Sequence, residues 1–317
     1  MKVYYGVKNN YKDITNICLT KLTYNNIITI PHNDIIRAIH FGDHIYGVLK
    51  NIVIYDEIND IYSEYNDNCT IYINIINNTI RCINYNSNNS NTKTITEKLI
   101  NIQSKLQIKY GTFNEELPEQ KMAVRYLKGH EKVLEIGGNI GRNSLVIASL
   151  LNNSKNLVTL ECSPDIFEQL KENRELNGLY FSIEDSALSN RKLIQKDWDT
   201  IPSDTLIDGY SWVKTITLEE LMVKYNTQFD TLVLDCEGAF YYILNDMPEI
   251  LNNIKLIIME NDYWDILKKK YIDDILRDNH FYVDYVESGG WGPCMSHFFE
   301  VWKRVDSSNT DNSIISL

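Results

Sequence analysis

Residues 132–144 read KVLEIGGNIGRNS, and the reading of this stretch decides the fold. A short apolar run carrying one acid, Glu135, gives way to Gly137, Gly138 and Gly141, then to polar residues suited to opening a helix. The run reads as a buried strand, and glycines after it let the backbone turn sharply and come close to a ligand. At the carboxyl edge of a parallel sheet, such a turn aims backbone N–H groups and a helix N-terminus at that ligand. The dinucleotide fingerprint G-x-G-x-x-G is not met, because Asn139 takes the second glycine position and Arg142 the third. Asn tolerates left-handed backbone angles, so Asn139 can still serve in the turn. An acid two residues before the first glycine suits a ligand with an amino-acid end, whose ammonium Glu135 would organise.

Outward from this stretch, residues 114 onward alternate strand and helix patterns, the mark of a parallel sheet with crossover helices. LPEQKMAVRYLKG reads as a helix with Pro118 in its first turn and Gly129 beyond its end. Helix 142–152, strand 156–161, a helix capped by Ser163, and strand YFSIE follow the glycine turn. After a variable stretch come helix TLEELMVKY, strand DTLVLD (230–235), helical segments within 239–252, strand IKLIIME (254–260) and helix YWDILKKKYIDDILRDN. The end, FYVDYVESGGWGPCMSHFFEVWKR, reads as an antiparallel hairpin closing an otherwise parallel sheet.

Residues 1–92 read as a small all-β module for binding or assembly, from period-two runs such as KVYYGV, YGVLKNIVIY and CTIYINII. A polar linker, NSNNSNTKT (86–94), and a connecting helix, ITEKLINIQSKLQIKYG, make 93–112 a linking region. The α/β domain spans 113–305, and 306–317 is a polar tail. At 317 residues, two domains are the expectation.

Lys and Arg total 31 against 43 Asp and Glu, a net charge of −12 that disfavours a nucleic acid partner. The six cysteines lack any CxxC or zinc-like spacing and read as free thiols of a reducing, cytoplasmic compartment. No apolar run of membrane-spanning length occurs, so membrane insertion is not expected. The abundance of Asn, Ile and Tyr reads as A/T-rich codon usage rather than function. Oligomeric state is not legible.

LEIGGNIG resembles the first motif of class I S-adenosylmethionine-dependent methyltransferases of the FkbM type. IEDSALS (183–189), TITLEELM (215–222) and FDTLVLDCEGAFYYIL resemble further segments of that family, over roughly 114–303. One departure is Val233, where the family often carries lysine. The composition and the stretch EQKMAVRYLKGHEKVLEIGGNIGRNSLVIASLL are also similar to glycan-modifying proteins of large DNA viruses, which would place the chain in a host cytoplasm.

The resemblance implies a Rossmann-like methyltransferase domain and S-adenosylmethionine as cofactor. The cofactor would meet Glu135, Gly137, Gly138, Asn139, Gly141, Asn143, Glu161, Cys162, Asp185, Ser186, Ala187 and Asp235. Glu161 ends the second strand, where an acid accepts both ribose hydroxyls; residues 183–189 follow the third, where the family sets its adenine contacts. Methyl transfer to an alcohol needs in-line alignment and a base. Asp235, at the end of the fourth strand, is the first choice, with Glu237, Glu260 and His297 as alternatives. Asp235 and Glu237 also suit a divalent cation, but no third acid stands at clear spacing, and no metal is favoured. His40 and His44 are four residues apart, yet Gly42 between them argues against a metal site.

Tyr263, Trp264 and Trp291 are candidates for stacking on a sugar ring, and Glu119 and Gln120 for contacts from a lid over the cofactor. The expected function is O-methylation of a sugar hydroxyl on a glycan. A protein side chain, a small metabolite, or a cofactor-fold binding protein without catalysis are the other readings.

Overall fold

The computed structural model describes residues 1–24, 26–84, 89–197 and 199–305. The expected tail, 306–317, and residues 86–88 of the expected linker lie outside them. The chain divides into two compact units. One comprises Met1–Asn89, Leu276–Val286 and a last segment beginning at Lys303; the other comprises Ser90–Ile275 and Glu287–Trp302. The first unit thus takes in segments from the end of the chain, a discontinuity that local sequence pattern does not carry.

The first unit holds β1 (Lys2–Val7), β2 (Asn10–Asp13), α1 (Thr15–Lys21), β3 (Thr23–Tyr24), β4 (Ile27–Ile30), α2 (Asp34–Phe41), β5 (Asn51–Asp56), β6 (Ile61–Tyr65), β7 (Cys69–Asn74) and β8 (Ile80–Asn84). Its strands form two four-stranded sheets, ordered β2-β1-β5-β6 and β3-β4-β7-β8, with antiparallel pairing throughout. Alternate residues point inward, so Val3, Tyr5, Ile52 and Ile54 share one core with Ile28, Ile30, Ile71 and Ile73.

The unit is not all-β, because α1 and α2 interrupt the strands. Both are short and rich in β-branched residues, which hides them from a period-two reading. Asn33 marks the start of α2 by accepting a hydrogen bond from Ile35 N at 2.8 Å. Gly42 ends it at φ +77°, so His40 lies in the helix and His44 beyond it, not on one helical face. Burial pushes the His40 imidazole down to about 3 and keeps it neutral.

The second unit begins with α3 (Asn89–Gln103), which starts inside the expected linker and stops short of Gly111. Then come α4 (Leu117–Tyr126), β9 (Val133–Ile136), α5 (Arg142–Leu150), β10 (Leu157–Leu160), α6 (Pro164–Leu176) and β11 (Ser182–Glu184). The variable stretch folds into β12 (Ala187–Leu188), β13 (Leu193–Lys196), β14 (Asp199–Pro202), β15 (Ser211–Val213) and β16 (Thr215–Ile216). β13 pairs antiparallel with β14 and β15, and β12 parallel with β16. The chain closes with α7 (Leu218–Tyr225), β17 (Thr231–Leu234), α8 (Phe240–Asp246), β18 (Leu256–Glu260), α9 (Ile266–Asp278), β19 (Phe281–Glu287) and β20 (Phe299–Arg304).

The main sheet is ordered β11-β10-β9-β17-β18-β20-β19. Its first five strands pair in parallel. Every residue of β9, β10 and β17 is buried, as expected for strands covered on both faces. Val233, in the middle of β17, fills this core. The order runs one way from β9 to β11 and the other way from β17, so the switch point lies between β9 and β17. Ligands of open α/β sheets bind beyond the carboxyl ends of the strands at that point. Among the described residues no helix is long and apolar enough to cross a membrane.

Candidate functional site

The turn after β9 is held by its own backbone. Gly137 N and Gly138 N both donate to Leu160 O, at 3.1 and 2.9 Å, tying the turn to the end of β10. Gly137 has φ +91°, and a Cβ there would lie 1.5 Å from the Asp235 carbonyl oxygen. Glycine is therefore required by contact as well as by angle. Asn139 adopts φ +45°, the left-handed angle expected of it, and Gly141 opens α5 at φ +93°.

Glu135 is 2% exposed and accepts a hydrogen bond from Ser144 Oγ at 2.5 Å. Burial pushes its carboxyl up to about 7. In the folded protein it therefore keeps its proton between about 4.5 and 7, while the unfolded chain releases it. Stability must fall as pH rises through that window, by roughly 3 kcal/mol from this group. Glu135→Gln keeps the acceptor and removes the titration, so its loss of stability over this window is expected to be smaller by about that amount. Urea midpoints at the two ends of the window, for both proteins, check this; parallel pH dependence would refute it.

Glu161, just beyond β10, is buried and fixed by two backbone donors. Asn139 N donates to its Oε2 at 2.9 Å and Ser163 N to its Oε1 at 2.8 Å. Burial raises its carboxyl, against the lowering effect of those N–H groups. Each oxygen keeps a lone pair for a further donor. Ser163 occupies the cap position of α6, but its side chain makes no cap bond; Pro164 begins the helix instead. Asn143, in the first turn of α5, is buried with Oδ1 lacking a hydrogen-bond partner. Cys162 is half-buried, and burial pushes its thiol up to about 11.

The expected adenine-binding stretch is mixed. Asp185 is half-exposed and ion-paired with Lys214, which lowers its carboxyl. Ser186 is buried and donates to Glu184 Oε1 at 2.7 Å. Ala187 begins β12.

Beyond β17 and β18 the structure gathers six carboxylates: Glu116, Glu119, Asp235, Glu237, Glu260 and Asp262. Burial raises Asp235, and the negative charges of Glu116 and Glu119 raise it further. Burial also raises Glu260, followed by its hydrogen bond with Glu119 and the charge of Asp235. Like charges this close cannot all ionise, so this group of carboxyls shares protons rather than carrying a full charge on each member. Asp262 is raised by burial and by its hydrogen bond with Glu237. Glu237 itself sits at φ +49°, beside Gly238 at φ +78°.

Arg142 neutralises Glu116 at 2.7 Å and also pairs with Glu115. Asn139 Nδ2 donates to the same Glu116 oxygen at 3.2 Å, linking the glycine turn to the acids. Glu116 and Asp262 escape a motif-based reading, although both lie in stretches flanking expected strands. Gln120 is fully buried and donates to the Glu115 and Phe113 carbonyls at 2.7 and 3.3 Å, holding the chain before α4.

Two expectations are corrected. His297 is half-buried beside Ser296 Oγ, and the charges that act on it are Glu300, Lys269 and Asp273, not Asp235. Burial lowers its pKa. It therefore stands apart from the proposed base. Tyr263 is 4% exposed with its ring against Gly238, so it packs the core and offers no face to a sugar. Trp264 and Trp291 are 74% and 41% exposed, with ring centroids 4.8 Å apart, and form an open aromatic pair. No third acid stands at clear spacing in the sequence, and only folding brings Glu119, Glu260 and Asp262 to Asp235. Among the described residues, however, no group of three or more His, Cys, Asp or Glu is arranged to hold a metal ion.

The sequence matches no family model and no curated protein. The fold is similar to that of the ribosomal protein L11 methylase from Lactobacillus delbrueckii subsp. bulgaricus, at 13% identity and a TM-score of 0.40, over 63% of this chain and 82% of that one. It is also similar to the O-methyltransferase from Bacillus cereus in complex with SAH, at 13% identity and a TM-score of 0.38, over 67% and 91%. A methyltransferase from Pyrococcus furiosus matches at 14% identity and a TM-score of 0.38, over 68% and 98%. At such identities the functional reading rests on the site's own geometry.

Proposed function

We propose that this chain is an S-adenosylmethionine-dependent O-methyltransferase acting on a sugar hydroxyl of a glycan. The observation that carries the reading is Glu161 at the carboxyl end of β10, clamped by the N–H of Asn139 in the glycine turn and still able to accept two hydroxyls. The residues fit the cofactor by three features: the close backbone approach at Gly137, the orphaned Oδ1 of Asn143, and a buried acid on each of two adjacent strands. Glu161 would take the ribose hydroxyls, and Glu135 would act on the ammonium through the turn. The N-terminus of α5, which begins at Arg142, suits the carboxylate. When bound, the cofactor supplies an electrophilic methyl group on a sulfonium.

The remaining work falls to the chain. Asp235, raised by burial and neighbouring charge, is a stronger base than an ordinary aspartate and would accept the hydroxyl proton. Glu237 and Glu260 adjust its charge state. Trp264 and Trp291 would receive the apolar face of the ring.

Calorimetry with S-adenosylmethionine and S-adenosylhomocysteine, followed by label transfer from the former to defined mono- and disaccharides, tests the reading. Binding of both and transfer to a saccharide are expected. Absence of cofactor binding would overturn it, and binding with transfer only to a non-sugar acceptor would overturn the glycan part alone.

A further inference from the structure

Arg142 answers the charge of Glu116, but Glu119, Asp235, Glu237, Glu260 and Asp262 have no Lys or Arg partner among the described residues. Glu119 is 6% exposed, its carboxyl faces Glu260 and Asp235, and its Oε2 lacks any hydrogen-bond partner. An orphaned carboxylate oxygen buried among acids calls for a donor carrying positive charge. The bound cofactor has one net positive charge, from its ammonium and sulfonium less its carboxylate, which leaves most of the cluster unanswered.

A metal ion is disfavoured because no three of these side chains are arranged to ligate one. An organic cation fits better. Trp264 follows Asp262 by two residues, and Gly292 packs near its ring, so one loop carries both an acid of the cluster and one member of the exposed aromatic pair. Aromatic faces attract both sugar rings and ammonium groups.

We propose that the acceptor is an amino sugar with a free amine, its ring on Trp264 and Trp291 and its ammonium on Glu119, Glu260 and Asp262. This rests on the methyltransferase reading above and makes its substrate class definite. The amine anchors and selects; the methyl acceptor remains a hydroxyl directed at Asp235. Cation binding offsets the crowding that raises the carboxyls of Glu260 and Asp262.

The test uses the full chain saturated with S-adenosylhomocysteine and two calorimetric titrations, with D-glucosamine and with D-glucose, which differ only in amine for hydroxyl. D-glucosamine is expected to bind at least about tenfold more tightly. Glu119→Gln should reduce that preference severalfold, and Asp262→Asn, at a less buried position, serves the same purpose if the first variant does not fold. Equal affinities, or no binding of D-glucosamine, overturn the inference while leaving the methyltransferase reading intact. Failure of S-adenosylhomocysteine to bind removes both.

Discussion

Replacing Gly137 with alanine is expected to destabilise the protein by on the order of 5 kcal/mol and to abolish binding of S-adenosylmethionine. The new Cβ would sit 1.5 Å from the carbonyl oxygen of Asp235 and 2.7 Å from its carbonyl carbon. Both are backbone atoms, so no rotamer relieves the clash, and the end of β17 or the turn must retreat by about 2 Å. The φ of +91° adds strain for any L side chain. The movement would carry Asp235 away from the acids it faces and uncouple the turn from Leu160 O. Gly138→Ala is the control: its Cβ would meet the Thr159 side chain rather than backbone, and Gly138 has no left-handed angle. Urea unfolding and calorimetry on both variants check the contrast. A Gly137→Ala protein with the wild-type midpoint and cofactor affinity would show that the turn is not what holds the site.

Asp235→Asn is expected to lower turnover by roughly 10²–10⁴-fold while changing cofactor affinity only a few-fold. Asparagine keeps the volume and an acceptor oxygen but cannot take a proton from a hydroxyl. Because ionised Asp235 is disfavoured by burial and by Glu116 and Glu119, the same change relieves repulsion, and the unliganded variant should be more stable than wild type. The two effects have opposite signs, which separates a lost base from a damaged fold. Single-turnover label transfer and thermal unfolding measure them independently. Undiminished turnover would remove Asp235 as the base and leave Glu237 as the next candidate.

Much of the α/β unit was legible because its strands are buried on both faces and bounded by turn residues. VLEI, LVTL and TLVL are short, mostly apolar runs, and each reads the same way alone as in the sheet. Thr217 heads α7 with a full capping box to Glu220, a local signal that survives folding unchanged. The first unit was less legible: TNICLTK and DIIRAIHF carry residues of high strand propensity, and packing on the sheets makes them helical. The strands between 187 and 216 are two to four residues long, too short for any period to show.

By itself the sequence determined that a glycine turn follows a buried strand at Glu135, that Glu161 and Asp235 stand at the ends of strands, and that Asn139 can take a left-handed angle. These are local properties, set by side-chain period and backbone sterics within a few residues. Only the tertiary structure decided that Glu116 and Glu119, more than a hundred residues from Asp235, would join Glu260 and Asp262 around it, that Tyr263 would turn inward, and that His297 would face Lys269 and Glu300. Carboxylates repel, so no pattern along the chain announces their meeting. They are held together by the burial of the elements that carry them.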